Sequence, residues 1–257
     1  MITTDTHTTS TLPTRPSRPT RLRRTGVAVT AFLTCAMPTV FAFNLSRMLV
    51  TGELDEHRFH QLTGQGLLLC ALWLGGIIPL VRAGWAGRRP SSAAGILHLA
   101  FMATGALTAA AATGGGAPAL LGVIGVPGAL LWLALPVRPQ VRLPARIDPV
   151  LAPVALVAAA VWAPYAIDQI ALQNAATGHH AQNPHYFDMA WMVATLVVVG
   201  LAGAILPAVR RLTLVAGGGL VWTGAMGVLL GVDRPWTPLM LGVGALMVLV
   251  SARRARR

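Results

Sequence analysis

The chain has 257 residues, 54% of them hydrophobic and only 11% charged. Soluble domains carry roughly a quarter charged residues, so this balance excludes an ordinary water-soluble domain and a disordered chain. The formal charge of +12 is carried by arginine without a single lysine, and most arginines sit between long apolar runs, which excludes a nucleic-acid-binding domain.

Residues 1–24 are rich in Thr, Pro and Arg and have no hydrophobic period. They are expected to form a disordered cytoplasmic tail drawn to anionic lipid. A span needs about 20 apolar residues. Eight segments qualify as transmembrane helices: 26–50, 65–82, 95–113, 117–136, 149–170, 188–209, 212–231 and 237–252. The Gly-rich break Thr113-Gly114-Gly115-Gly116-Ala117-Pro118 separates the third from the fourth. Arg210-Arg211 separates the sixth from the seventh, because paired guanidinium groups are costly at mid-bilayer.

The loops alternate in charge. Arg15 to Arg24, then Arg82, Arg88 and Arg89, then Arg138, Arg142 and Arg146, then Arg210 and Arg211, then Arg253 to Arg257 share one side. The other loops hold Glu53, Asp55, Glu56, Asp168, Asp188 and Asp233. The positive-inside rule then predicts an all-α multi-pass protein of the inner (plasma) membrane, in contact with the lipid bilayer and with both termini cytoplasmic. An even number of spans is required, and eight satisfies it. Cys35 and Cys70 fall within the first two spans at different depths, so they are expected as core residues and not as a disulfide.

The halves resemble each other. Gly75-Gly76-Ile77-Ile78-Pro79-Leu80-Val81-Arg82 returns as Gly203-Ala204-Ile205-Leu206-Pro207-Ala208-Val209-Arg210. Keeping that offset, His57-Arg58-Phe59-His60 falls on His185-Tyr186-Phe187-Asp188. Pro38 to Thr51-Gly52 matches Pro164 to Thr177-Gly178, and Pro118 to Val123 matches Pro238 to Val243. The expected organisation is a tail (1–24), a first four-helix half (25–147), a second (148–252) and a basic tail (253–257). Four spans per half make the repeat parallel, a 4+4 arrangement about an axis along the membrane normal. Small-residue faces such as Ala216-Gly217-Gly218-Gly219 suit close helix packing or oligomerisation.

Five histidines gather on the predicted outer face: His57 and His60 before the second span, and His179, His180 and His185 before the sixth. Imidazoles suit Zn, Cu, Fe and Ni. The repeat pairs His57 with His185 and His60 with Asp188, so His57, His60 and His185 form a candidate metal set. Heme held by His57 and His185 is a further option. Arg47, Asp168 and Asp188 are candidate ligand-binding residues, since ionisable groups within spans mark function. The plain alternative is a set of solvated interfacial histidines. His98, alone in the third span, is expected as a satisfied packing residue.

The Arg-only composition and the stretch Asn183-Pro184-His185-Tyr186 leading into a span resemble uncharacterised multi-pass membrane proteins of high-GC bacteria. The resemblance implies no activity. No Walker A, GxSxG or HExxH pattern occurs, and without lysine there is no Schiff-base chemistry. Three readings compete: a protein binding or transporting a small molecule or ion through an outer vestibule between the halves, a heme- or metal-binding oxidoreductase or metal-handling protein, and a structural subunit of a membrane complex.

Overall fold

The computed structural model describes residues 20–52, 57–64, 66–112, 117–140, 146–182 and 184–255, except for the side chains of 117–121, 179 and 255. Among the described residues the chain is all-helical: α1 (Arg21–Thr51), α2 (Arg58–Leu62), α3 (Leu67–Trp85), α4 (Ser92–Ala111), α5 (Ala117–Ala134), α6 (Leu151–Ala175), α7 (Gly178–Gln182), α8 (His185–Ile205), α9 (Leu212–Leu230) and α10 (Thr237–Ala255). Among the described residues, seven helical runs are long and apolar enough to cross a membrane: α1, the run Arg58–Trp85 holding α2 and α3, and α4, α6, α8, α9 and α10. The fourth expected span is α5. Its apolar run over fully described residues, Gly122–Ala134, is shorter than a span. Side chains such as Phe32 and Leu229 are 73% and 75% exposed. Apolar helices with such outer faces fit a membrane protein whose solvent is lipid.

Local chemistry sets the helix ends. The Thr20 hydroxyl accepts from the Arg23 N–H, and the Ser91 hydroxyl from the Ala94 N–H, which satisfies orphan donors at the starts of α1 and α4. Gly52 and Gly231 end α1 and α9 in the left-handed conformation, at φ 76° and 68°, where a side chain would be strained. α8 stops earlier than the span expected over 188–209. Proline disfavours helical backbone in the residue before it; Leu206 is accordingly extended, and Pro207–Val209 forms a 3-10 turn. Pro79, at the matching place in the first half, lies inside α3, which runs on to Trp85.

Within the first half α1 packs on α3, α3 on α4, α4 on α5 and α5 on α1. Within the second, α6 packs on α8, α8 on α9, α9 on α10 and α10 on α6. The halves meet chiefly where α4 lies along α8, the most buried of the membrane-length helices. Trp191 of α8 packs against Phe101, with ring centroids 4.4 Å apart, and its indole N–H donates to the Phe101 carbonyl at 2.7 Å. A Cβ at Gly105 would meet the Trp191 ring at 2.6 Å, so the small residue is what lets the indole in. Nearby, the Thr104 and Thr195 hydroxyls bond each other at 2.8 Å. In an apolar surround such interhelical bonds replace water that is absent. Cys35 and Cys70 are both free thiols, and Cys70 Sγ lies 3.7 Å from the Pro38 carbonyl oxygen.

Candidate functional site

Arg210 and Arg254 meet Asp148, and Arg89 bonds Gln140, so the loops after α3, α5 and α8 and the end of α10 share one end of the bundle; His57, His60, His180 and His185 gather away from it. At the histidine end three chain segments converge. His57 is the residue before α2, His60 lies within α2, His180 lies in α7, and His185 opens α8. Their ring centroids are 5.1 Å apart for His57 and His185, 5.6 Å for His57 and His180, 4.7 Å for His180 and His185, and 5.4 Å for His60 and His185. Tyr186 closes the group at 5.3 to 5.8 Å from His60, His180 and His185. His180 Nδ1 faces His185 Nε2 within hydrogen-bond reach. His185 is buried while His57, His60 and His180 are half-buried. His60 Nδ1 is buried and has no hydrogen-bond partner among the described residues.

The surroundings explain how the segments are held. Gln173, buried on α6, accepts the Phe187 N–H through Oε1 at 3.1 Å and donates through Nε2 to the His180 carbonyl at 3.2 Å. One amide therefore ties α6 to both α7 and the start of α8. On the other side, the Trp222 indole of α9 donates to the Leu62 carbonyl at 2.7 Å and anchors α2. After α2 the chain breaks sharply before α3. The Thr63 hydroxyl and the Gly64 N–H both reach the Met189 sulfur of α8, at 3.2 and 3.1 Å. A Cβ on Gly66 would overlap the Gln61 carbonyl, so this break requires glycine.

The sequence-derived candidates separate into two groups. His57, His60 and His185 come together. Asp188 is buried one turn inside His185 on the same helix, 6% exposed. Arg47 and Asp168 lie on exposed faces of α1 and α6. On α6 the inward positions belong to Gln169 and Gln173, both buried. His180 and Gln173 also belong to this cluster. In the sequence His180 is marked by the double histidine at 179–180, and Gln173 only by falling opposite Arg47 in the expected match of Pro38–Gly52 with Pro164–Gly178. Glu53, Asp55, Glu56 and the His179 side chain lie outside the described residues.

Metal chemistry can be weighed on these distances. Three imidazoles on one tetrahedral ion, with metal–nitrogen bonds of about 2.0–2.1 Å, place their ring centroids about 5.2 Å apart. His57, His180 and His185 match that spacing. Among the described residues, however, no group of three or more His, Cys, Asp or Glu is poised to hold a metal ion. The rings have the spacing of a site without presenting three donors to one point. Heme fits less well: with His57 and His185 only 5.1 Å apart and three further rings beside them, no porphyrin passes between the two.

His98 behaves differently. Its Nδ1 accepts the Trp132 indole N–H at 2.9 Å, which places its own proton on Nε2 and removes that nitrogen as a metal donor. Nε2 is buried without a partner among the described residues, so there the residue is half satisfied and not fully so.

The chain matches no protein-family model, no curated protein and no solved structure.

Proposed function

We propose that this chain is an eight-span protein of the plasma membrane, built from two parallel four-helix halves, which binds a transition-metal ion at the histidine end between them. His57, His180 and His185 are the ligands, and His60 and Tyr186 form the rim. The observation that carries the reading is the spacing of the three imidazoles, contributed by three separate segments. An incoming ion would recruit the donors by rotation of the half-buried His57 and His180 side chains toward the buried His185. Borderline-soft imidazole nitrogen selects Zn, Cu or Ni over Mg and Ca. Asp188, three residues and about 4.5 Å further along α8, is the acid such an ion would meet next.

The repeat is supported by matched backbone features. Gly52 and Gly178, equivalent in the two halves, are both left-handed, at φ 76° and 57°. Pro38 and Pro164 lie inside α1 and α6, and Pro118 and Pro238 are each the second residue of their helix. The same ring of helix neighbours recurs in each half. The arginine-rich end, by the positive-inside rule, faces the cytoplasm with both termini.

The test is Zn²⁺ and Co²⁺ titration of detergent-purified protein, read by calorimetry and by the visible bands of bound cobalt. One ion per chain is expected, with tetrahedral cobalt absorption that His57→Ala/His185→Ala abolishes while the fold is retained. Absence of uptake at micromolar metal, or uptake unchanged in the double variant, would sink the proposal.

A further inference from the structure

The arginine end carries a second constellation. Asp148 lies between α5 and α6, and its backbone N–H donates to the Ala204 carbonyl at 3.0 Å. The Arg146 N–H donates to the Ile205 carbonyl at 2.9 Å. These two bonds satisfy the last carbonyls of α8 and pin the 146–148 segment across its end. Asp148 Oδ1 accepts the Val150 and Leu151 N–H groups, starting α6, and the carboxylate meets Arg254 at 3.4 Å and Arg210 at 3.6 Å.

Two adjoining cavities of about 290 and 390 Å³ open here and share Pro207, Arg210 and Arg254 in their walls. Arg211 lines the first and Arg146 the second. Four guanidinium groups against one carboxylate leave three positive charges in excess. Arg146 and Arg211 have no ion pair among the described residues. Ala93 and Leu214, in the first turns of α4 and α9, also line the first cavity, so the positive ends of two helix dipoles face it. The flank is apolar and open: Ile147, Val150 and Ile205 are 67%, 42% and 37% exposed.

We infer that these joined cavities bind a phosphate group, with Arg146 and Arg211 as its primary partners and Arg210 and Arg254 as shared ones. Guanidinium forks match phosphate oxygens in pairs, and an anion in the shared walls would offset the excess positive charge. The apolar flank beside the cavity suits the acyl chains of an anionic phospholipid, whose headgroup phosphate would sit among the arginines. A free phosphate ester offers the same oxygens without the chains.

The experiment compares melting of the detergent-purified chain with added phosphatidylglycerol, phosphatidylcholine or inorganic phosphate. It uses wild type, Arg146→Gln/Arg211→Gln and a control, Arg88→Gln/Arg138→Gln, which removes two exposed arginines of the same end outside the cavities. Both cavity arginines are exposed, so the unliganded melting point of the variant should equal that of wild type. Phosphatidylglycerol should raise the melting point of wild type and control, and the cavity variant should need about tenfold more lipid for the same rise. A rise with phosphatidylglycerol alone assigns the site to a lipid headgroup; an equal rise with millimolar inorganic phosphate assigns it to a free phosphate group. Equal responses in the cavity variant and the control, or no response to either anion, would overturn the inference.

Discussion

The two ends of the bundle solve opposite electrostatic problems on one shared helix. At the histidine end, His185 opens α8 among other imidazoles, with ring centroids 4.7 to 5.6 Å apart. At the arginine end, α8 closes on a loop whose acid, Asp148, meets two permanently charged guanidinium groups. The first arrangement has lone pairs to offer a cation. The second has charge in excess and takes an anion. The difference teaches that side-chain basicity, more than the count of basic residues, decides what an end of a membrane bundle can hold.

The largest expected effect comes from breaking what the ends share. Trp191 sits in the buried seam between α4 and α8, and Trp191→Ala removes its ring and the bond to Phe101. Large-to-small changes of this kind cost about 3–5 kcal/mol, so both metal uptake and the lipid response should fail together, with a lower melting point. Loss at one end alone would mean that the ends fold independently.

Next comes Gln173→Leu, which deletes two bonds and leaves buried backbone groups unpaired, at a cost of about 1–3 kcal/mol. The outer-shell change should weaken Zn²⁺ affinity about 10–100-fold and leave the phosphatidylglycerol response intact. Calorimetry on the variant checks this, and unaltered affinity would remove Gln173 from the site.

A smaller effect is expected at Asp148. Burial pushes its carboxyl up, but the Leu151 and Val150 N–H groups and the Arg254 and Arg210 charges outweigh that and hold it below the usual carboxylate range. A depressed folded pKa contributes stability that is fully present above the unfolded value, about 3.9, and is lost as pH falls through the folded one. Its arginine partners are partly exposed, so the pairs contribute under about 1 kcal/mol. Asp148→Asn should therefore melt slightly below wild type at pH 6, with the gap closing toward pH 3. A gap that widens in acid would reverse the sign of this argument.

The smallest effect is expected at Asp168. It is exposed on α6, so Asp168→Asn should change stability by no more than about 0.5 kcal/mol and leave Zn²⁺ uptake at the wild-type level. A tenfold loss of uptake would return Asp168 to the site.

Much of this was legible before any coordinates. Apolar length and arginine placement are local properties, so the sequence alone determined the membrane class, the helix order and which loops share an end. Spacing along the chain also put His57, His60 and His185 at one end of the bundle, since each precedes or opens a long apolar run. What only the tertiary structure decided is rotation and closure. α6 is apolar on most of its circumference, and adjacent positions differ by about 100° around the axis. Nothing in the sequence said that Gln169 would turn inward and Asp168 outward; packing against α8 and α10 settles it. The same holds for His180, brought in by a short helix tied to Gln173, and for Arg146, Arg211 and Arg254, which share one pair of cavities only because helix ends distant in sequence meet there.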